Sequence, residues 1–192
     1  MEALTGVFSA FGLSASAGLN AYIPLLVVAL TARYTDLIKL NPPWDTLTNG
    51  WIIGLLMVLL LIEIFADKIP AVNHINDAIQ TFVRPVAGAI VFAAGAQVFS
   101  DLHPVIALAA GVLVAGSVHA AKSIAVRPIV TATTGGTGNL AVSTMEDVTA
   151  TVTSIIAIVI PVLLLLIAGL VGVWIIYKVW SKNKRQMGVC EV

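Results

Sequence analysis

Apolar runs this long and this continuous leave a chain few ways to fold. Residues 155–176 contain no charged or polar side chain. A helix needs ~20 apolar residues to cross the hydrocarbon core of a bilayer, and this run meets that length. Runs at 51–66, 86–99 and 105–118 follow the same pattern, and 4–33 is a fifth, interrupted region. Barrel strands alternate polar and apolar residues, so continuous runs exclude a transmembrane barrel. Charged residues make up 10% of the chain, against about 25% in soluble domains. The expected fold is an all-α polytopic membrane protein with about five transmembrane helices, or six crossings if an interrupted region crosses once more. Residues 1–180 are expected to form one transmembrane domain, and 181–192 a basic cytoplasmic tail.

The N-terminus begins Met1-Glu2, with an acid where a secretory leader carries bases. It is read as the first membrane segment of the mature protein. The runs at 86–99 and 105–118 are joined by DLHP at 101–104 and should form an antiparallel hairpin. Their many alanines and glycines permit close helix packing. Between 68 and 85, Val72, Ile75, Ile79, Phe82 and Val83 fall on one helical face, with Asn73, Asp77, Gln80 and Arg84 on the other. That pattern predicts one interfacial amphipathic helix.

Two segments should interrupt the membrane helices. GLSASAGLNAYIPLL at 12–26 sets Gly12, Ser14, Ser16, Gly18 and Asn20 at alternate positions, followed by Pro24. RPIVTATTGGTGNLAVSTMED at 127–147 includes Gly135, Gly136, Thr137 and Asn139. Loosened backbone is tolerated in a membrane only where it is buried in protein or lines water. Broken helices of this kind build transporter sites. Ser14, Ser16, Asn20, Gly135, Gly136, Thr137 and Asn139 are therefore candidates for a substrate or ion pathway, with both asparagines near one polar cavity. The rival explanation is close packing by small residues, which accounts for the glycines and serines better than for the asparagines.

Charges within the body of the chain fall into groups: Glu63, Asp67 and Lys68; Asp77 and Arg84; His119, Lys122 and Arg127; Glu146 and Asp147. Charges at membrane depth face a cavity or a partner. They form either structural ion pairs or a substrate or proton path. Glu63 or Asp67 is expected to meet Lys122 or Arg127. An echo, VRPV at 83–86 and VRPI at 126–129, sets an arginine before a proline in both places. Lys178, Lys182, Lys184 and Arg185 follow the last run, which places the C-terminus in the cytoplasm of an inner (plasma) membrane protein. Five crossings would then put Lys68, Arg84, Lys122 and Arg127 on the outer side, unless they are buried in protein or a sixth crossing exists.

Other functions find no support. Net charge is zero and no basic domain suggests nucleic acid. Cys190 is the only cysteine, so an internal disulfide and a cysteine metal cage are both excluded. His74, His103 and His119 do not stand at metal-ligand spacing. No hydrolase, zinc-protease, Walker or dinucleotide motif occurs, so neither an enzyme nor a bound cofactor is expected.

Four segments in order, GLSASAGLNAYIPLL, ADKIPAV with FVRPVAGA, HAAKSIAVRP, and TGGTGN with STMED, resemble the bacterial membrane family catalogued as domain of unknown function 4126. The resemblance implies an integral membrane protein and supplies no substrate or catalytic residue. The leading expectation is a small transporter or channel, in the bilayer as a homodimer or small homo-oligomer, acting on an unknown small solute, ion or lipid. One alternative is a protein that binds or translocates lipid head groups or lipid phosphates through Lys68, Arg84, Lys122 and Arg127. The other is a non-transporting scaffold.

Overall fold

The computed structural model describes residues 2–68, 70–99 and 103–187. Among them there is no strand. The helices are α1 (Glu2–Leu19), α2 (Tyr22–Tyr34), α3 (Gly50–Lys68), α4 (Pro70–Phe99), α5 (Pro104–Ala121), α6 (Arg127–Thr134) and α7 (Asn139–Met187). A short 3-10 turn spans Trp44–Thr48, and a π-helical segment, Lys122–Val126, joins α5 to α6. Among the described residues, four stretches are long and apolar enough to cross a bilayer: Gly50–Asp67, Ile75–Ala96, Pro104–Thr134 and Asn139–Ile160. Gly6–Leu19 and Tyr22–Tyr34 are shorter apolar helices. The chain is an all-α polytopic membrane protein.

Its polarity is inverted relative to a soluble domain. Trp51, Leu55 and Phe65 of α3, Ile75 and Phe82 of α4, and Leu113 of α5 face outward. Glu63, Asp67, Arg84, Lys122 and Arg127 are buried. Lipid solvates the apolar exterior, and charges find partners only inside.

Helix α1 lies between α5 and α7, and this explains its alternating small residues. Two residues turn an α-helix by about 200°, so alternate positions point to opposite sides. Gly12 faces Ala157 of α7. Ser14 Oγ donates to Gly111 O of α5 at 2.9 Å. Ser16 Oγ returns to α7, donating to Ala150 O at 2.8 Å and lying 2.7 Å from Ser154 Oγ. Gly18 packs against Ala115 and Val118 of α5. Asn20 reaches Asp147 of α7. Small residues let two helices approach at once, and the hydroxyls satisfy themselves on their neighbours' carbonyls. These serines and glycines thus lie at the close contacts of α1 with α5 and α7.

Both expected interruptions exist, with different shapes from those anticipated. The first is confined to Asn20 and Ala21, because residues 14–19 remain helical. The second, 135–138, is an exposed turn between α6 and α7. There Gly135 and Gly136 adopt φ of 63° and 92°, a left-handed backbone that only glycine takes without strain.

The amphipathic segment is not a separate interfacial helix. It is the first half of α4, which continues through Pro85 to Phe99. Asn76, Gln80 and Arg84, one turn apart, form its buried stripe, while Ile75, Ile79 and Phe82 are exposed. The polar face finds its partners in the protein and the apolar face finds lipid, so the helix is drawn into the bundle. Several expectations fall outside the described residues: the side chains of Lys68, His74, Lys182, Lys184 and Arg185, the turn residues Asp101 and Leu102, and Cys190.

Candidate functional site: a buried ionic cluster

Local helix geometry brings most of the anticipated charges together. Glu63 and Asp67 are four apart and share a face of α3. Arg84 lies two turns beyond Asn76 on the inner stripe of α4. Lys122 and Arg127 are five apart, which on a regular α-helix would turn them to different sides. The π-helical segment corrects this: the Arg127 amide donates to Lys122 O, a five-residue step. Pro128 contributes to this step: it has no N–H for the carbonyl of Ile124, and its ring crowds that carbonyl, which favours a local change in the ladder.

The resulting cluster joins α3, α4, the π segment, α6 and α7. Arg84 Nη2 meets Glu63 Oε1 at 2.9 Å and lies 3.8 Å from Asp67 Oδ2. Arg127 reaches Asp77 at 2.7 Å, Asp67 at 3.0 Å and Glu146 at 3.5 Å. Lys122 Nζ meets Glu146 at 2.6 Å and Asp67 at 3.9 Å. The expected pairing of Asp67 with Arg127 and Lys122 is present. The two Arg-Pro echoes converge on one carboxylate, Asp67. Glu63, Arg84, His119 and Lys122 are at most 3% exposed.

Hydrogen bonding fixes the state of His119. Thr81 Oγ1 donates to Asp77 O at 2.8 Å, so toward His119 Nε2, 3.1 Å away, it can only accept. Nε2 therefore carries the proton. Nδ1 accepts from Arg84 Nη1 at 3.2 Å. His119 is the neutral Nε2–H tautomer, and it orients the arginine that holds Glu63.

Asn20 ties the first interruption to this region. Its Oδ1 accepts from the amides of Tyr22 and Ile23, both at 3.1 Å, which is the N-cap role for α2. Its Nδ2 donates to Asp147 Oδ1 at 3.0 Å. Asn20→Ala should lower stability by ~1–2 kcal/mol through loss of the cap. Asn20→Asp should keep the cap and set a second carboxylate against Asp147. Both variants are expected to melt below wild type in nanodiscs, and wild-type melting of Asn20→Ala would remove the capping role.

The other pathway candidates do not gather here. Asn139 Nδ2 donates to Thr131 Oγ1 at 2.9 Å within the α6–α7 turn. Eight residues separate Asn139 from Asp147, about 12 Å along α7, so the two asparagines do not share one partner set. Gly135 and Thr137 are exposed in that turn. Ser14 and Ser16 are committed to backbone carbonyls. Some cluster members were not anticipated. Asn76 Nδ2 donates to Asp67 at 2.7 Å, and Ser143 Oγ accepts from Arg127 at 3.4 Å. The available signal was spacing: Asn76 precedes Gln80 and Arg84 by one and two turns, and Ser143 precedes Glu146 by three residues.

An open cleft of about 500 Å³ adjoins the cluster. Leu19, Val118, Val126, Val142 and Met145 give it apolar walls, and Lys122 and Glu146 also line it.

The sequence profile of one family, described as Domain of unknown function (DUF4126), matches residues 7–182. No curated protein and no solved structure matches the chain. With nearly its whole length covered, including every helix that feeds the ionic cluster, the chain belongs to the DUF4126 family.

Proposed function

We propose that the protein is a small membrane transporter whose polar pathway is the ionic cluster. The supporting observation is an imbalance among the described side chains. Four carboxylates, the buried Glu63, Asp67 and Glu146 and the partly exposed Asp77, face three cations, Arg84, Lys122 and Arg127. Ion pairing that served structure alone would favour equal numbers, because each unpaired buried charge is costly. An excess of carboxylates suits a proton or a cation better than an anion. The cleft beside Lys122 and Glu146 offers a route to the cluster. In this reading Asn20 supports the pathway, and the 135–138 turn takes no part. The lipid-phosphate alternative is weakened, since Arg84, Lys122 and Arg127 are all engaged by carboxylates. The reading also includes the plasma membrane, a cytoplasmic C-terminus and a homodimer or small homo-oligomer. Mass measurement in mild detergent checks the last of these.

Flux into liposomes tests the function. Purified protein should move protons or small cations down a gradient. Asp67→Asn and Glu146→Gln should each slow that flux by on the order of tenfold, equivalent to ~1.4 kcal/mol on a barrier. Flux indifferent to both substitutions, or no flux from wild type, would sink the proposal.

A further inference from the structure

Besides Asp77 Oδ1, three buried polar atoms of the cluster have no hydrogen-bond partner among the described residues: Glu63 Oε2, Gln80 Oε1 and Arg84 Nε. The residues that carry them are at most 2% exposed. They are neighbours. Gln80 and Arg84 are one turn apart on the inner face of α4, and Arg84 Nη2 holds the other Glu63 oxygen at 2.9 Å. Two of the three atoms accept hydrogen bonds and one donates. A metal cation would suit the two oxygens, but the adjacent guanidinium repels it. A water molecule suits all three, donating to both oxygens and accepting from Nε.

We propose that Glu63, Gln80 and Arg84 form a proton-binding site, in which one water molecule bridges the three groups and Glu63 Oε2 takes up the proton. The proton leaves a hydronium ion as its O–H bond breaks and a new O–H bond forms at Oε2. The products are a neutral carboxylic acid and a water molecule. Oε1 keeps its contact with Arg84. The charged groups facing Glu63 are Arg84 of α4, Asp67 of its own helix and Lys122 of the π segment. Tyr22 of α2 stands alongside.

The proton has a structural consequence. Ionised Glu63 holds Arg84 at 2.9 Å, while Asp67 waits 3.8 Å from the same nitrogen. Neutralising Glu63 leaves Asp67 as the stronger partner of Arg84. Asp67 is also shared with Lys122 and Arg127. A proton on Glu63 therefore re-sorts the ion pairs that tie α3 to the π segment and α6. The link from proton binding to transport rests on the transporter reading, whereas proton binding itself does not.

Infrared difference spectra of the protein in nanodiscs, recorded as pH is lowered, test the site. The chain has four glutamates, Glu2, Glu63, Glu146 and Glu191. A carbonyl band of neutral carboxylic acid should grow on acidification, with a component that moves when glutamate carries a 13C-carboxyl label and is lost in Glu63→Gln. A band that ignores the label, or one unchanged in Glu63→Gln, overturns the proposal. Gln80→Leu removes one water contact and leaves Glu63 in place, which covers the case in which Glu63→Gln does not fold. It should shift the pH at which the labelled band titrates, and an unchanged midpoint also overturns the proposal. The two readings fail separately. A labelled band with no flux of protons or small cations keeps the site and ends the transporter. Flux without the band keeps the transporter and ends the site.

Discussion

Arg127→Leu is expected to abolish the folded protein. Arg127 is the shared partner of Asp67, Asp77 and Glu146, at 3.0, 2.7 and 3.5 Å. Without it these carboxylates face one another in a membrane protein's interior. Removing one partner of a buried ion pair costs ~3–5 kcal/mol, and here several pairs share the partner. Arg127→Lys should fall between, because an ammonium keeps the charge but cannot fork to Asp77 and Asp67 together. Adding Asp67→Asn to Arg127→Leu should partly restore folding by removing one of the repelling groups. Fluorescence-detected size exclusion after a temperature ramp would rank the variants. A wild-type profile for Arg127→Leu would show that the cluster does not depend on these charges.

Gly111→Ala should be nearly as damaging, for a reason unrelated to charge. A Cβ at Gly111 would stand 2.5 Å from Gly88 O and 2.6 Å from Ala89 Cα. Both are backbone atoms of α4, so no side chain can move aside. The α4–α5 pair must separate, and with it the Ser14 bond to Gly111 O. Overpacking costs ~1–3 kcal/mol, and an unyielding backbone places this substitution at the upper end. Gly54→Ala is the control. Its Cβ would meet nothing within 4 Å, and alanine gains up to ~1 kcal/mol over glycine in a helix. Melting temperatures should therefore move in opposite directions for the two changes. Equal tolerance at both sites would contradict the close approach of α4 and α5.

The broad architecture was legible in the sequence because lipid imposes a simple rule. Long apolar runs must be helices that satisfy their own backbone, so 51–66, 86–99, 105–118 and 155–176 could be placed without coordinates. The membership of the ionic cluster was legible for a related reason. Charges in such runs must find each other, and Asp67 does find Lys122 and Arg127. Composition could not show direction. The stripe on α4 has the same amphipathic pattern whether it lies flat at an interface or turns its polar face inward, and only packing against α3 and α5 chose the second. The alternation from Gly12 to Asn20 was equally ambiguous. A loosened cavity wall and a helix gripped on two sides both call for small and polar residues, and the presence of α5 and α7 on opposite sides of α1 selected the grip. The phase of Lys122 and Arg127 was hidden as well, since five residues apart on a regular helix they diverge. What the sequence determined by itself was the set of helices and the charges that needed partners. The tertiary structure decided which way each face turned, because a residue's partner lies on another helix and a π-helical turn changes phase without leaving a periodic trace in the chain.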